Sequence, residues 1–298
     1  LSPNVWVYDG TVLSETMAIF TGTLALLMAY RAWEQPTVRR ACALGAACGC
    51  AMLARSELVL LVPALLWPVL LLADRSGTRR PTRLLRTAAA TLVALAIVSP
   101  WVIYNLTRFH HPVFLSSQLE ATLAGANCDD TYRGPNIGLF SCIVPYPQHA
   151  HDDESDAAQA LRRPAGRYIR AHLSRVPAVV AARVGRVTGV YHVGQQIDLD
   201  YLVERRERPL AIAGIIVGYA TEIAALVGAV ILWRRRGPPV FPLVAMVGIT
   251  VLSIAATYAN DRFRASAETA LLILAAIALD AIGRASDRSP THSDVAKR

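Results

Sequence analysis

Seven apolar stretches separated by short polar segments constrain this chain more than any other feature of its sequence. They lie near residues 12–30, 40–54, 58–73, 87–104, 210–233, 240–258 and 266–283. Hydrophobic residues make up 54% of the chain and charged residues only 17%, which is outside the range of ordinary soluble domains. Because the apolar residues come in runs, the sequence predicts an all-α polytopic membrane protein with about seven transmembrane helices.

The arginines indicate how these stretches are oriented. If every stretch crosses the bilayer, three arginine-rich loops fall on one face: Arg31/Arg39/Arg40, Arg75/Arg79/Arg80/Arg83/Arg86 and Arg234/Arg235/Arg236. The positive-inside rule makes that face cytoplasmic. The external face then receives the N-terminal segment, the Arg55–Glu57 turn, the long loop 105–209 and the connection 260–264. An alternative that merges 43–62 into one span would place the arginines of 75–86 outside, so we reject it.

This topology divides the chain into four parts. Residues 1–104 hold four transmembrane helices, 105–209 form an external loop, 210–284 hold three more helices, and 285–298 are a polar tail that we expect to be disordered and cytoplasmic. An odd number of spans with the tail inside puts the first residue outside. The chain begins Leu1-Ser2-Pro3-Asn4 without a signal segment, so we expect further helices upstream of a C-terminal fragment.

The net charge of the chain indicates which partners it has. The formal charge is +8, but the basic residues border lipid, where topology and anionic headgroups explain them. Membrane lipids are therefore expected partners, and nucleic acid is not.

Cys128 and Cys142 share the external loop, where a disulfide is favoured over free thiols. The other cysteines lie on one predicted span and are read as small buried residues: Cys42, Cys48 and Cys50.

The second half of the external loop has a helical, amphipathic pattern. Ala157–Tyr191 interleaves arginines with apolar residues, and Pro164 and Pro177 are predicted breaks. Helices of this kind lie in the membrane interface, so a basic face on anionic lipid is the simpler interpretation. The alternative is that one or two of these arginines bind a lipid-linked phosphate. The stretch His149–Glu154 has metal-ligand residue types without zinc-type spacing, and we predict no metal site there.

Three arginines break the sorting by lying on the external side: Arg55, Arg262 and Arg264. Arg55 and Glu57 occupy a short turn, where an ionisable group costs a few kcal/mol unless it is paired or hydrated. A structural pair of Arg55 with Glu57 or Glu15 and a functional role both stay open.

The connection before the last span has a composition that suits a phosphate. Arg262 and Arg264 flank Phe263, and a guanidinium offers a planar fork of donors that stays charged. Asp261 precedes them, and Glu15 and Glu268 lie just inside predicted helices, with Glu222 in the middle of a span. Carboxylates at membrane depth are functional by default. Carboxylates and arginines therefore gather on one face, as a charged headgroup on a lipid tail would require.

An ordered series of motifs resembles the membrane glycosyltransferases of the GT-C fold, in particular the bacterial form of the group that contains protein O-mannosyltransferases and aminoarabinose transferases. The motifs are Pro3–Gly10 leading to Leu13-Ser14-Glu15, Leu53–Glu57, Ser99-Pro100-Trp101 with Asn105, the Asn127-Cys128 to Cys142 loop, and Asp261–Arg264 followed by Glu268. Together they run through nearly the whole chain.

The resemblance implies that a sugar moves from a polyprenyl-phosphate donor to a lipid, glycan or protein acceptor on the external face of a bacterial plasma membrane. The family's main catalytic acid would lie upstream of Leu1, so this part alone is expected to be inactive. Glu15 matches a second acidic position, with Asp9 as runner-up. The donor phosphate would bind Arg55, Arg262 and Arg264, supported by Glu57, Asp261 and Glu268. A divalent metal is left open, with no ligands located and no other cofactor expected.

Two alternative functions come from other classes. A transporter is disfavoured because the sequence shows no internal repeat and no matching pair of Gly/Pro-broken helices, and because its external loop is long. A non-catalytic membrane subunit is the third choice, and its fold would have no affinity for polyprenyl phosphates.

Overall fold

A computed structural model describes residues 5, 14–72, 80–145, 152–203, 206–235 and 237–287, with the backbone alone for 285–287. No strand occurs among these residues, and the chain is an all-α membrane protein. We number the helices α1 Glu15–Glu34, α2 Val38–Ala54, α3 Trp67–Leu72, α4 Arg80–Arg108, α5 Leu119–Gly125, α6 Asp129–Tyr132, α7 Glu154–Ala171, α8 Val176–Val187, α9 Val193–Leu202, α10 Arg208–Arg234, α11 Phe241–Ala256 and α12 Ala265–Asp287. Short 3-10 turns cover Ser56–Leu60, Gly134–Asn136, Leu173–Arg175 and Asp261–Arg264, and a π turn covers Val62–Leu66.

Three described helical stretches are long and apolar enough to cross a membrane: Arg80–Arg108, Arg208–Arg234 and Asp261–Arg284. Two shorter apolar stretches, Ser56–Leu72 and Phe241–Ala256, have the composition but less length. The prediction of a helical membrane protein is therefore confirmed. The count of seven spans stays a prediction.

Small residues let the helices approach closely at two seams. A Cβ at Gly45 of α2 would collide with the Ala90 carbonyl of α4, and one at Gly228 of α10 would collide with the Leu274 carbonyl of α12. Such contacts matter in a membrane, where van der Waals packing replaces the hydrophobic effect between helices. The main core lies among α1, α2, α3, α10, α11 and α12.

The predicted third span differs from a single helix. The backbone is extended at Arg55 (φ −150°, ψ 129°), then continues through a 3-10 turn and a π turn, and becomes regular at Trp67. Pro63 and Pro68 explain this, because a proline has no N–H for the helical ladder. The break at Arg55 agrees with our rejection of a single span over 43–62.

Two other boundaries also differ from the sequence-based predictions. Pro164 lies inside α7 and does not break it, because Ala158, Leu161 and Ala165 bury one continuous face on both sides of the proline. Pro177 lies in the first turn of α8, where its missing N–H costs nothing. The last helix runs to Asp287, past the predicted end near 283, and residues 288–298 lie outside the described residues.

The segment predicted to be the external loop packs as a small helical unit, α5 to α9, on one end of the bundle. Cys128 and Cys142 form a disulfide, and the Gly125 carbonyl accepts hydrogen bonds from the backbone N–H groups of Ser141 and Cys142. The segment closed by this disulfide is also bonded to the bundle, since Ala259 N donates to the Gly138 carbonyl at 2.8 Å. The disulfide-closed segment is thus bonded to the connection that leads into Arg262 and Arg264.

Candidate functional site

The connection between α11 and α12 is a short, capped turn. The Asn260 side-chain oxygen accepts a hydrogen bond from Arg262 N at 2.8 Å, which starts the 3-10 turn Asp261–Arg264. Asn is a favoured capping residue because its side chain satisfies an otherwise unpaired backbone N–H. This turn directs Arg262 and Arg264 to two separate clusters of charge.

Glu15 is the centre of the first cluster. Its side chain is fully buried at the start of α1, and one carboxylate oxygen accepts from Arg55 Nη1 at 3.1 Å and from Arg262 Nε at 2.7 Å. Arg55 also pairs with Glu57, and its guanidinium lies 5.0 Å from the centre of the Phe263 ring. Two arginines and two carboxylates balance in charge, so the ion pairs left open by the sequence are both present. The second oxygen of Glu15 is buried and finds no hydrogen-bond partner among the described residues.

Arg264 is the centre of the second cluster. It donates through Nε to Glu268 of α12 and through Nη1 to Glu222 of α10. The Glu268 side chain is 1% exposed and that of Glu222 is 24% exposed. Gly218 makes room for this arrangement, because a Cβ there would lie 3.3 Å from Arg264 Nη1. The third nitrogen, Nη2, is buried without a partner in the part of the chain that the structure describes.

An apolar groove of about 350 Å³ runs along α10, α11 and α12 beside Arg264. Aliphatic side chains such as Leu226, Val247 and Leu271 form its walls. Glu222 and Arg264 line it at the end nearest the external loop. The groove therefore has two charged side chains at one end and apolar walls elsewhere.

A larger cavity of about 900 Å³ lies on the other side of the turn. Glu57 and Phe263 line it together with loop residues that include Gln118, Glu120 and Arg162. Its mixed polar and apolar walls suit a partly hydrophilic molecule.

Asp261 lies near Arg264 and contacts α9. It is hydrogen-bonded to Asp200 of α9, which also accepts from Gln196 Nε2 at 3.2 Å and lies 3.5 Å from Arg206 Nη1. The structure thus brings Glu15, Arg55, Glu57 and Arg262 together in one cluster and Arg264 with Glu268 in another. Asp9 lies outside the described residues.

Two arginines of the predicted external loop are buried and bind backbone carbonyls. Arg183 is buried and donates to the Ala255 carbonyl at 2.8 Å and the Ala126 carbonyl at 2.9 Å. Arg186 is fully buried and donates through Nε to the Ile137 carbonyl at 2.7 Å. Burial lowers the pKa of both groups. The expectation of a lipid-facing basic surface is therefore wrong for this pair, because α8 turns it towards protein carbonyls.

Histidine and aspartate side chains meet where α4 approaches the start of α7. His110 Nδ1 lies 2.8 Å from Asp156 and 3.6 Å from Asp153, and His111 Nε2 lies 3.3 Å from Asp156. Both oxygens of Asp153 are used, because Oδ1 caps α7 and Oδ2 accepts from His110 N. The hydrogen bond to Asp156 and the charge of Asp153 raise the pKa of His110. We read this cluster as a clasp between helices.

Some of these residues could not be assigned from the sequence. Glu222 carried a signal, since it is a carboxylate in the middle of an apolar run, but its partner was not apparent. Gln196, Asp200 and Arg206 carried none, because polar residues on a loop helix are ordinarily solvated.

One comparison with known proteins is informative. The family model described as dolichyl-phosphate-mannose-protein mannosyltransferase matches residues 2–104, the segment that contains Glu15, Arg55 and Glu57. No curated protein and no solved structure matches the chain. The family match supports the resemblance found in the sequence motifs: residues 2–104 are similar to a GT-C-type family of membrane glycosyltransferases.

Proposed function

We propose that this glycosyltransferase moves a sugar from a polyprenyl-phosphate donor to a lipid, glycan or protein acceptor at the external face of a bacterial plasma membrane. The observation that carries the proposal is the position of Arg264 at the polar end of the apolar groove. A polyprenyl phosphate has the matching chemistry, an anionic head on an isoprenoid tail. The head would bind the guanidinium, and the tail would lie along α10, α11 and α12.

Phosphate binding requires Arg264 to exchange one carboxylate partner. Glu222 is the more exposed of the two carboxylates, and its oxygen accepts the hydrogen bond from Arg264 Nη1. If Glu222 leaves, Nη1 and the unpaired Nη2 form a fork that fits two phosphate oxygens. Removing the negative charge of Glu222 should therefore strengthen donor binding. We expect Glu222→Gln to bind the donor at least as well as wild type.

The neighbouring cluster would complete the site. Arg55 and Arg262 are held by one oxygen of Glu15, so Glu15 positions two cations near the place where the leaving phosphate gains charge. The cavity lined by Glu57 and Phe263 would take the acceptor. The proton acceptor stays with the carboxylates predicted from the resemblance, Glu15 or Asp9. A divalent metal has no assigned ligands in this proposal.

The groove can be tested by blocking it. Ala229 lines the groove and Ala220 lies on the lipid-exposed side of the same helix. Ala229→Trp should weaken binding of a fluorescent polyprenyl-phosphate sugar to the protein in nanodiscs by at least tenfold, and Ala220→Trp should not. Binding is the readout because it does not depend on the catalytic acid. Unchanged affinity in a folded Ala229→Trp variant would exclude this groove as the tail site.

The membrane face can be tested by cysteine labelling. A single cysteine at Ala160, which is exposed on α7, should react with an impermeant thiol reagent added outside, and one at Ser76 should not. Cys42, Cys48 and Cys50 are replaced by Ser in this background. Labelling of Ser76→Cys from outside would reverse the orientation.

A further inference from the structure

Five buried polar atoms without hydrogen-bond partners among the described residues belong to residues around one small cavity. The cavity, of about 30 Å³, lies where α8 and α9 of the external loop meet α10 and the start of α12. The atoms are Arg186 Nη1, Gln196 Oε1, Asp261 Oδ1, Arg264 Nη2 and Glu268 Oε2, each unpaired within the described ranges. Buried polar groups in folded proteins are bonded in the great majority of cases, so this concentration indicates a missing ligand.

The chemistry of the five atoms selects the ligand. Two of them are guanidinium donors, from Arg186 and Arg264, and three are amide or carboxylate oxygens that accept. A metal ion would bind the oxygens but would be repelled by the guanidiniums, and an anion would face the reverse problem. Water both donates and accepts. At about 10–15 Å³ for each molecule, the cavity has room for roughly two waters.

We propose that this cavity holds ordered water that bridges the external loop to Arg264 and Glu268. Two nitrogens of Arg264 are fixed by carboxylates, and the water would bind one hydrogen of the third, Nη2, whose other hydrogen stays for the phosphate. Gln196 of α9 and Arg186 of α8 would thereby become positioning residues for the guanidinium. The part that concerns donor binding rests on the proposed function, and the hydration of the cavity does not.

Filling the cavity with an apolar group tests the hydration of the cavity and its effect on donor binding by separate measurements. Ala211 of α10 lines the cavity and is 4% exposed, so Ala211→Leu would displace the water while keeping every charged group. Ala220→Leu, on the exposed side of the same helix, is the matched control. Gln196→Leu removes one acceptor without filling the space, and it serves if Ala211→Leu fails to fold.

High-resolution density for the wild-type protein in nanodiscs should show water within hydrogen-bonding distance of Arg264 Nη2 and Glu268 Oε2. The density should vanish in Ala211→Leu. An empty cavity, or density that requires a metal ion or an anion, would overturn the inference whatever the protein binds.

Donor affinity measures the consequence for Arg264. Loss of a buried hydrogen bond to a charged group should weaken binding of the polyprenyl-phosphate sugar by about tenfold in Ala211→Leu and by about threefold to tenfold in Gln196→Leu. Ala220→Leu should match wild type. If wild type binds no donor, the proposed function fails and the hydrated cavity stands on its density. If wild type binds the donor and both cavity variants bind equally well, the positioning role is refuted.

Discussion

Two pairs of arginines on the side predicted to be external differ in what they bind, and that difference distinguishes a structural role from a functional one. Arg183 and Arg186 lie on α8 and donate to backbone carbonyls. Arg262 and Arg264 lie in the 3-10 turn before α12 and donate to carboxylates. A carbonyl is fixed by the backbone and has no charge to exchange, whereas a carboxylate on a side chain can be replaced by another anion. Arginines bound to carbonyls therefore hold the loop, and we propose that arginines bound to carboxylates can bind a phosphate.

The surroundings of the two pairs support the same distinction. Arg183 joins the disulfide-closed segment to the end of α11, so it links loop and bundle. Arg264 borders an apolar groove and a small polar cavity. The predictions below test this contrast in order of expected effect.

The largest effect is expected from removing a structural arginine. Arg183→Met keeps the apolar length of the side chain but leaves the Ala255 carbonyl without its buried donor, whereas the Ala126 carbonyl keeps a hydrogen bond from the Thr131 hydroxyl. The unsatisfied carbonyl costs about 1–3 kcal/mol and the lost bond from a charged donor to Ala126 about 1.5–3 kcal/mol, so the protein should lose on the order of 4 kcal/mol of stability. Thermal unfolding in detergent measures this. Arg163→Met, on the exposed side of α7, should change little, and equal stability of both variants would contradict the structural role.

A slightly smaller effect is expected from the disulfide. Replacing Cys128 and Cys142 by Ser opens a loop with a sequence separation of 14, and closing a loop of about that size stabilises by about 3 kcal/mol. Unfolding temperature and proteolysis of the loop should both report the loss. Peptide mapping without reductant should show the bridge in protein from its native compartment, and two free thiols there would refute it. Cys50→Ser is the control, since Cys50 is exposed and free.

Substitution of the two arginines proposed to bind the phosphate should change donor affinity. Arg264→Ala removes a charge-assisted contact worth about 1.5–3 kcal/mol, so donor binding should weaken by about ten- to a hundredfold. Arg264→Lys should restore only part of it, because the fork geometry is lost. Arg80 is an exposed arginine at the start of α4, so the Arg80→Ala variant should bind the donor with wild-type affinity. Wild-type affinity in a folded Arg262→Ala/Arg264→Ala protein would assign this pair to structure as well.

The smallest effect is expected from the exposed clasp of His110 with Asp153 and Asp156. The pKa of His110 is raised, so its contribution is complete below its ordinary pKa of 6.5 and is lost as the pH rises through the raised value. Hydrogen bonds hold the pKa of Asp156 below 3.8, so that contribution is lost only as the pH falls through the lowered value. The stability difference between wild type and His110→Ala should therefore be largest between about pH 4 and 6.5. A difference that is constant up to pH 9 would exclude an ionic clasp.

The sequence by itself determined the membrane class, the approximate position of most helices and the residues worth testing. Runs of apolar residues and sorted arginines are local signals, and they fixed which charges were out of place at Arg55, Arg262 and Arg264. The motifs around these positions also suggested an enzyme class, and the family match over residues 2–104 supports that suggestion. None of this required knowledge of which helices pack together.

Only the tertiary structure decided which partner each charge takes. Glu15 meets Arg262 across 247 residues, and Arg264 meets Glu222 across 42, so no local pattern connects them. The inward orientation of Arg183 and Arg186 depends on how α8 packs against the loop. Ion pairs form between side chains that packing brings within a few ångströms, and packing of apolar helices depends on shape, which the sequence pattern does not encode locally.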